Sequence, residues 1–302
     1  MKVYYATLRQ KQGELRALKK LVEFKSDISQ FVPSIIIKDA AQESLNDIRG
    51  SYTGFVLLDV RDLDSDDIYT LEELLENDNN SNFDILYPIE FLLNSNDRDH
   101  KSYVRISRSV VNPFFIQWLN SNQSTLPHTV MIDLEYIESV STELISRFIP
   151  LLGSLRGHNI IIMSGAVPQS IPVSSEENYH IPRIEKDLFH ELKNHVPNDS
   201  ILYFGDYTSV SPIISTGGRA IVQIKYTLEE QYWFVRNGLR RGNYDFVSVC
   251  QEIANSDGFD EEYCWGDEYI QSVINDSMNK GNPSVWTSIG INRHIVVCLD
   301  EI

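Results

Sequence analysis

The stretch TVMIDLE (residues 129–135) decides the fold, because it is an unbroken apolar run that ends in carboxylates. Such a run is typical of a strand buried on both faces of a parallel sheet. Seven further β-rich runs recur along the 302-residue chain, and most of them also stop at a charged residue. These seven runs cover residues 3–9, 34–39, 54–62, 83–90, 102–107, 159–164 and 201–207.

Apolar stripes at helical spacing lie in most of the gaps between these runs. Leu15, Leu18 and Val22 form the first stripe, and similar stripes fall within residues 66–76, 144–152 and 184–196. The polar segments 77–82 and 94–101 are predicted as loops, the second in place of a helix. Eight strands with helices between them predict a (β/α)8 barrel of the TIM type over residues 1–216.

The pattern changes near residue 217 and predicts a C-terminal α+β extension, residues 217–302, packed on the barrel. The runs RAIVQIKY (219–226) and QYWFVR (231–236) flank a short polar turn, which indicates an antiparallel hairpin. Helices are predicted around residues 244–254 and 269–278, and a last strand over 293–299. A small α+β second domain is the alternative interpretation of this region.

Composition limits the classes of partner. The chain carries 43 acidic and 26 basic side chains, a net charge of -17, and such a field repels nucleic-acid backbones at long range. We therefore expect no generic nucleic-acid binding. No apolar run approaches 18 residues, the N-terminus lacks an apolar signal region, and the three cysteines suit a reducing compartment. These features predict a cytoplasmic protein without a membrane partner.

Several segments, taken in order, resemble the beta family of proteins found in phages and bacteria. They are YYATLRQKQGELRALKKL, MIDLE, YFGDYTSVSP, IKYT, WFVRNG, CWGDEYI and GNPSVWTSIGINRHI, spread over residues 4–295. The resemblance implies a barrel-like fold and an association with phages or mobile elements, but no reaction. Relatives tend to have lysine at the position of Arg9 and two histidines at Arg293-His294, so chemistry that needs those groups is in doubt for this chain.

The predicted strand ends supply the candidate site, because active sites of such barrels gather at the carboxyl ends of the strands. Carboxylates there can do acid/base work or hold a divalent metal, and arginine forks grip phosphate or carboxylate. Asp133 and Asp206 are the candidate catalytic acids. The candidate ligand-binding residues are Arg9, Lys38, Asp59, Arg105 and Tyr207.

Structural roles compete with this interpretation. A charged residue after a strand often caps the next helix or pairs with a neighbour, and Asp206-Tyr207-Thr208 can form a tight turn. Asp267 could cap a helix, and His294 is expected to be packed and hydrogen bonded. No phosphate loop, dinucleotide fingerprint, nucleophile elbow, H-E-x-x-H or C-x-x-C motif occurs, so no metal is predicted and any cofactor is unknown.

Three functional hypotheses remain open on the sequence. The first is a cytoplasmic protein of phage–host conflict that recognises a protein partner or a small anionic ligand at the barrel mouth. The second is a TIM-barrel hydrolase acting on a phosphate or nucleotide ester. The third is a structural subunit of a larger defence assembly. Whether Asp133, Asp206, Arg9 and Arg105 share one cavity would discriminate among them.

Overall fold

The computed structural model describes residues 3–25, 27–94, 101–214, 220–240 and 245–302. Eight parallel strands form a closed barrel in sequence order, and β1 pairs with both the second and the last of them. This confirms the predicted (β/α)8 fold. The barrel strands are β1 (Tyr4–Arg9), β2 (Phe31–Ile36), β3 (Val56–Asp59), β4 (Phe83–Pro88), β5 (Tyr103–Ser107), β6 (Thr129–Tyr136), β7 (Asn159–Gly165) and β9 (Ile201–Asp206), whereas β8 (Tyr179–Pro182) belongs to another sheet.

Helices alternate with these strands, and side-chain caps fix where several of them begin. Asp64, Asn112 and Ser141 each accept a hydrogen bond from a backbone N–H three residues later, which satisfies a donor that the first helical turn leaves free. The helices of the barrel segment are α1 (Gln12–Phe24), α2 (Gln42–Arg49), α3 (Ser65–Leu75), α4 (Ile89–Asn94), α5 (Pro113–Asn122), α6 (Thr142–Gly153) and α7 (Ile184–Lys193).

The region between β4 and β5 differs from the sequence prediction. A short helix, α4, follows β4 directly, where a loop without a helix was predicted. Ile89, Phe91 and Leu92 are buried, so the apolar residues at the end of the strand run continue into a helical turn. The rest of the predicted loop, residues 95–100, lies outside the described part of the chain. The predicted loop 77–82 contains a 3₁₀ turn, Asp78–Asn80.

The barrel interior is a small apolar cluster, separate from the larger core between barrel and helices. Leu57, Met131, Ile161 and Met163 belong to it, together with Tyr207 beyond the end of β9. Successive side chains of a strand point to opposite faces, so the residues two positions after Leu57 and Met131 also point inward. Those residues are polar, and they lie one layer closer to the carboxyl ends of the strands.

The C-terminal region contains the predicted hairpin, now seen as part of a three-stranded antiparallel sheet. The strands β10 (Ile221–Thr227) and β11 (Gln231–Leu239) pair with each other, and β11 also pairs with β8. This three-stranded sheet, which we call the tail sheet, therefore combines β8 from the predicted barrel segment, residues 1–216, with β10 and β11 from the predicted extension, residues 217–302. The division of the chain at residue 217 stays a proposal.

Three helices complete the tail: α8 (Phe246–Ala254), α9 (Trp265–Asp276) and α10 (Pro283–Glu301). Val222, Ile224 and Tyr226 pack against α8 and α9 on one face of the sheet. The opposite face of the sheet carries Tyr232 and Phe234, which pack on residues that follow β7. The tail sheet is thus covered on both faces.

The predicted last strand, residues 293–299, is wrong, because this segment is the end of α10. Asn282 caps the helix by accepting from the N–H groups of Ser284 and Val285, and Pro283 occupies the first turn. Almost every side chain from residue 288 to 298 is buried. A helix that is buried on all sides has no clear amphipathic period, so its β-branched residues resemble a buried strand.

Candidate functional site

Four side chains from different strands meet inside the carboxyl end of the barrel. Asp59 ends β3, Arg105 lies in β5, Asp133 in β6, and Tyr207 follows β9. Arg61, two residues beyond β3, joins them. We call these five residues the mouth cluster.

Asp133 is the centre of the mouth cluster and is fully buried. Its Oδ2 accepts hydrogen bonds from Arg105 Nε at 2.7 Å and from the Tyr207 hydroxyl at 2.6 Å, with Arg61 Nη2 at 3.2 Å. Its Oδ1 accepts from the backbone N–H of Glu135 at 2.9 Å. Both oxygens of this carboxylate therefore already have partners within the protein.

Asp59 is also fully buried, and both of its carboxylate oxygens have partners. Its Oδ2 accepts from Arg61 Nε at 2.9 Å and also from Arg61 Nη2, while its Oδ1 accepts from the Arg61 backbone N–H at 3.1 Å. Arg61 Nη1 in turn donates to the Tyr207 hydroxyl at 3.0 Å. Two buried carboxylates and two guanidinium groups thus form one connected network around the Tyr207 hydroxyl.

The network favours charged Asp133 and neutral Tyr207. Burial alone would raise the pKa of Asp133, but Arg61 and Arg105 outweigh burial and lower it. Burial and the charge of Asp133 raise the pKa of Tyr207, so its hydroxyl remains a hydrogen-bond donor. Asp133 is therefore a fixed anion and is poorly suited to be a general acid near neutral pH.

Arg105 is the member of the cluster with donors to spare. Among the described residues, its Nε is bound by Asp133, its Nη2 lies 3.5 Å from Glu135 Oε1, and neither Nη atom makes a hydrogen bond. The side chain of Glu135 is 51% exposed, so this outer ion pair faces solvent. The mouth thus presents oriented guanidinium donors that are held from behind by carboxylates.

Arg9 and Lys38 do not join the mouth cluster. Arg9 Nη2 donates to the backbone carbonyls of Ser211 and Pro212, at 3.0 and 2.9 Å, and so ties the end of β1 to the segment after β9. The side chain of Lys38 is 64% exposed and lies 4.0 Å from Asp39. The predicted ligand set is therefore divided between the cluster, the rim and the outer surface.

Asp206 points away from the mouth, so it does not share a cavity with Asp133. Asp206 and Tyr207 are adjacent, and alternation along a strand sends their side chains to opposite faces. Tyr207 faces the interior, and Asp206 faces the layer between the barrel and the tail. Its Oδ1 accepts from the Tyr4 hydroxyl at 2.6 Å and from the Thr208 N–H at 2.8 Å.

Asp206 belongs to a second polar network, which we call the barrel–tail network. Asp206 Oδ2 lies 2.8 Å from His294 Nε2, and His294 Nδ1 lies 3.1 Å from the Thr227 hydroxyl oxygen. Burial alone would raise the pKa of Asp206, but His294 outweighs burial and lowers it. The other members of this network are Tyr4, Arg183, Glu185, Tyr232 and Cys298.

This network contains a group with potential metal ligands. Ligand atoms of Asp206, His294 and Cys298 all lie within 4.8 Å of one another. However, Arg183 Nη2 donates to Cys298 Sγ at 3.0 Å, which puts a guanidinium charge beside the same atoms. Burial also raises the pKa of the Cys298 thiol well above its ordinary value, which disfavours the thiolate that a metal needs. The donor set therefore fits hydrogen bonding within the protein better than it fits a cation.

Two other predicted structural roles can be compared with the geometry. Asp267 lies in the first turn of α9, but it forms an ion pair with Arg293, and Cys264 occupies the capping position. His294 is fully buried and hydrogen bonded, as was expected from the sequence.

Sequence reasoning gave no role to several residues of both networks. Side chains alternate in direction along FGDY (residues 204–207), and this pattern could have placed Asp206 and Tyr207 on opposite faces of the strand. Arg61 was visible as a charged residue at the end of the third run. Arg183, Glu185 and Cys298 carry no such signal, because they come from α10 and from the start of α7, far from β9 in sequence.

The fold and the mouth define a class: a (β/α)8 barrel protein whose carboxyl end is lined by paired arginines and carboxylates. The family model described as Beta protein matches residues 4–300. The chain belongs to that family, which confirms the resemblance seen in the sequence. None of the curated proteins compared with the chain matches it.

Among solved structures, the chain is similar to the carboxyl transferase domain from Rhizobium etli pyruvate carboxylase, determined with 3-bromopyruvate. The sequence identity is 9% and the TM-score is 0.43. The match covers 96% of this chain and 48% of the other, so this chain spans about half the length of that relative. Within the described residues, no helix is both long enough and apolar enough to span a membrane.

Proposed function

We propose that this protein is a cytoplasmic binding protein of phage–host conflict, which recognises an anionic group at the barrel mouth through Arg105. The anionic group belongs to a small ligand or to a protein partner. The observation that carries this proposal is the state of the mouth cluster: its carboxylates have partners, whereas Arg105 keeps unused donors. Asp59 and Asp133 then orient the guanidinium groups and do no acid/base chemistry.

The binding role follows from the chemistry of the guanidinium group. A guanidinium held in one orientation loses little side-chain entropy when it binds, and its planar fork suits phosphate or carboxylate oxygens. The net charge of -17 disfavours long polyanions at a distance, so a small anion or a single acidic side chain is the better fit. The association of the family with phages supports the biological setting.

The alternative is a hydrolase that acts on a phosphate or nucleotide ester. A hydrolase needs a carboxylate or other base with a free lone pair close to the substrate. Within the described mouth, Glu135 is the carboxylate that meets this requirement, because its side chain reaches solvent beside Arg105. This alternative therefore depends on Glu135, and not on Asp133.

Binding can be tested by calorimetry and thermal shift with inorganic phosphate and with adenosine monophosphate. We expect both probes to raise the melting temperature of the protein, and Arg105→Gln to weaken binding about tenfold or more, the loss of a charge-assisted contact. Arg156→Gln is the matched control, since that side chain is 71% exposed and 4.0 Å from its partner. Equal binding by the wild type and Arg105→Gln would contradict the proposal.

The same variants separate the two functions. Hydrolysis of bis-(p-nitrophenyl) phosphate that disappears in Glu135→Gln would favour the hydrolase. The proposed role in phage–host conflict is tested by plating phages on cells that produce the wild type, Arg105→Gln or Arg156→Gln. We expect the plating efficiency to change with the wild type and Arg156→Gln, and to return to the level of empty cells with Arg105→Gln.

A further inference from the structure

A cavity of about 330 Å³ lies between the carboxyl end of the barrel and the tail. Gln169 and Ser209 line it from the barrel side, Gln223 and Lys225 from β10, and Trp286 and Thr287 from the start of α10. Its volume falls in the range of pockets that hold small molecules. No residue of the mouth cluster lines it, so it is separate from the site of the proposed function.

Lys225 is the one titratable side chain among the described residues that line this cavity. Within the described residues, its Nζ makes no hydrogen bond and no ion pair, and it lies 5.5 Å from the centroid of the Phe234 ring. Lys225 is partly buried, and a lysine without a partner is unfavourable there because removing its charge from water is costly. An unpaired amine that faces a cavity is therefore a candidate reactive group.

The backbone under this amine is held firmly. Lys225 pairs with Phe234 across the sheet, and α10 packs so closely that a Cβ added at Gly290 would lie 2.6 Å from the Lys225 carbonyl oxygen. The amine thus projects from a fixed point of the sheet into the cavity.

The electrostatic surroundings favour the neutral amine. Burial and, second, the charge of Arg9 lower the pKa of Lys225 to about 8, while Glu14 acts in the opposite direction. At pH 7.5 about a quarter of such amines are neutral, compared with about one in a thousand for an ordinary lysine. A desolvated lysine beside another cation is a known arrangement for amine nucleophiles.

We propose that Lys225 is the nucleophile of a second site, which binds a small carbonyl compound and forms an imine with it. The Nζ lone pair forms the C–N bond, and the π electrons of the carbonyl move to its oxygen. Two protons pass from nitrogen to that oxygen, which leaves as water, and the C=N bond remains. No oxidant or reductant is consumed.

The test uses the full chain, glycolaldehyde and sodium cyanoborohydride, which reduces the imine to a stable amine. Peptide mass mapping gives the initial labelling rate of each lysine separately. At pH 7.5 we expect Lys225 to be labelled about tenfold faster than Lys38, because its larger neutral fraction outweighs its lower intrinsic nucleophilicity. The rate at Lys225 should rise with a midpoint near pH 8.

Variants then test each part of the proposal. Lys225→Met should remove the fast label, Lys38→Met should leave it unchanged, and Arg9→Gln should move the midpoint to higher pH. Labelling of wild-type Lys225 at or below the rate of Lys38 would overturn the proposal, and this result does not depend on the folding of any variant.

Discussion

At the scale of single residues, the sequence does not show whether a charged side chain at a strand end binds a ligand or holds its neighbours in place. Asp133 and Arg105 were both visible in the sequence, but the structure turns the carboxylate inward onto two guanidinium groups and leaves the arginine with free donors. The charge that is fully paired supports the mouth, and the charge that is partly paired keeps N–H donors without a hydrogen-bond partner among the described residues.

Asp133→Asn is therefore expected to destabilise the protein, by about 3–5 kcal/mol, because two buried guanidinium groups lose their shared anion. The stabilisation by the charged Asp133 is present at neutral pH and is lost as the pH falls through the lowered pKa of Asp133. The unfolding free energy of Asp133→Asn should therefore depend less on pH in the acid range than that of the wild type. Urea unfolding at several pH values measures both effects. Glu135→Gln is the control with an exposed carboxylate, and an unchanged unfolding free energy in Asp133→Asn would refute the support role.

For Glu185 we expect the opposite dependence of the unfolding free energy on pH. Burial first, and Asp206 second, raise its pKa to about 7, and its Oε2 has no partner among the described residues. The folded protein therefore binds a proton between about pH 7 and 4.5 that the unfolded chain does not, so this group favours folding increasingly as pH falls through that range. Glu185→Gln, which is always neutral, should lose this dependence. Identical pH profiles of unfolding free energy for the variant and the wild type would show that Glu185 does not titrate there.

At the scale of elements, α10 connects the two parts of the molecule. Asn292 Nδ2 donates to the Ala17 carbonyl of α1, and His294 contacts Asp206 of β9. Gly290 allows the helix to lie directly on the backbone of β10. The helix therefore contributes to the barrel–tail network and to a wall of the Lys225 cavity.

Gly290→Ala should disturb this packing, although alanine is the better helix former. The added methyl would meet the Lys225 carbonyl oxygen at 2.6 Å, a backbone atom that cannot move freely, and we expect a loss of about 1–3 kcal/mol. Gly153→Ala in α6 is the matched control, because nothing lies within 4 Å of its added Cβ, and it should be neutral or slightly stabilising. Thermal melting of both variants decides the matter, and equal melting temperatures would show that α10 can shift without cost.

At the scale of the whole molecule, charge selects the partners. The net charge of -17 surrounds a mouth whose guanidinium groups are balanced by carboxylates, so no broad basic surface is expected for a nucleic acid. A compact anionic group that reaches the mouth is the ligand expected from the proposed function.

Binding to generic duplex DNA should accordingly be weak at physiological salt. Fluorescence anisotropy with a labelled random duplex, measured from 50 to 200 mM salt, would detect phosphate contacts as a steep loss of affinity with salt. Tight binding with such a slope would contradict this view of the surface.

The sequence by itself determined the order of the barrel strands, most of the helices between them and the tail hairpin, because each depends on a local period of apolar residues. Tertiary structure decided the rest. It showed that Asp133 and Asp206 lie on opposite faces of the barrel wall, that residues 293–299 are helical, and that Lys225 faces a cavity. Alternation along FGDY indicated the direction of Asp206, but the other two outcomes depend on which side of each element is covered by residues distant in sequence, and no local period contains that information.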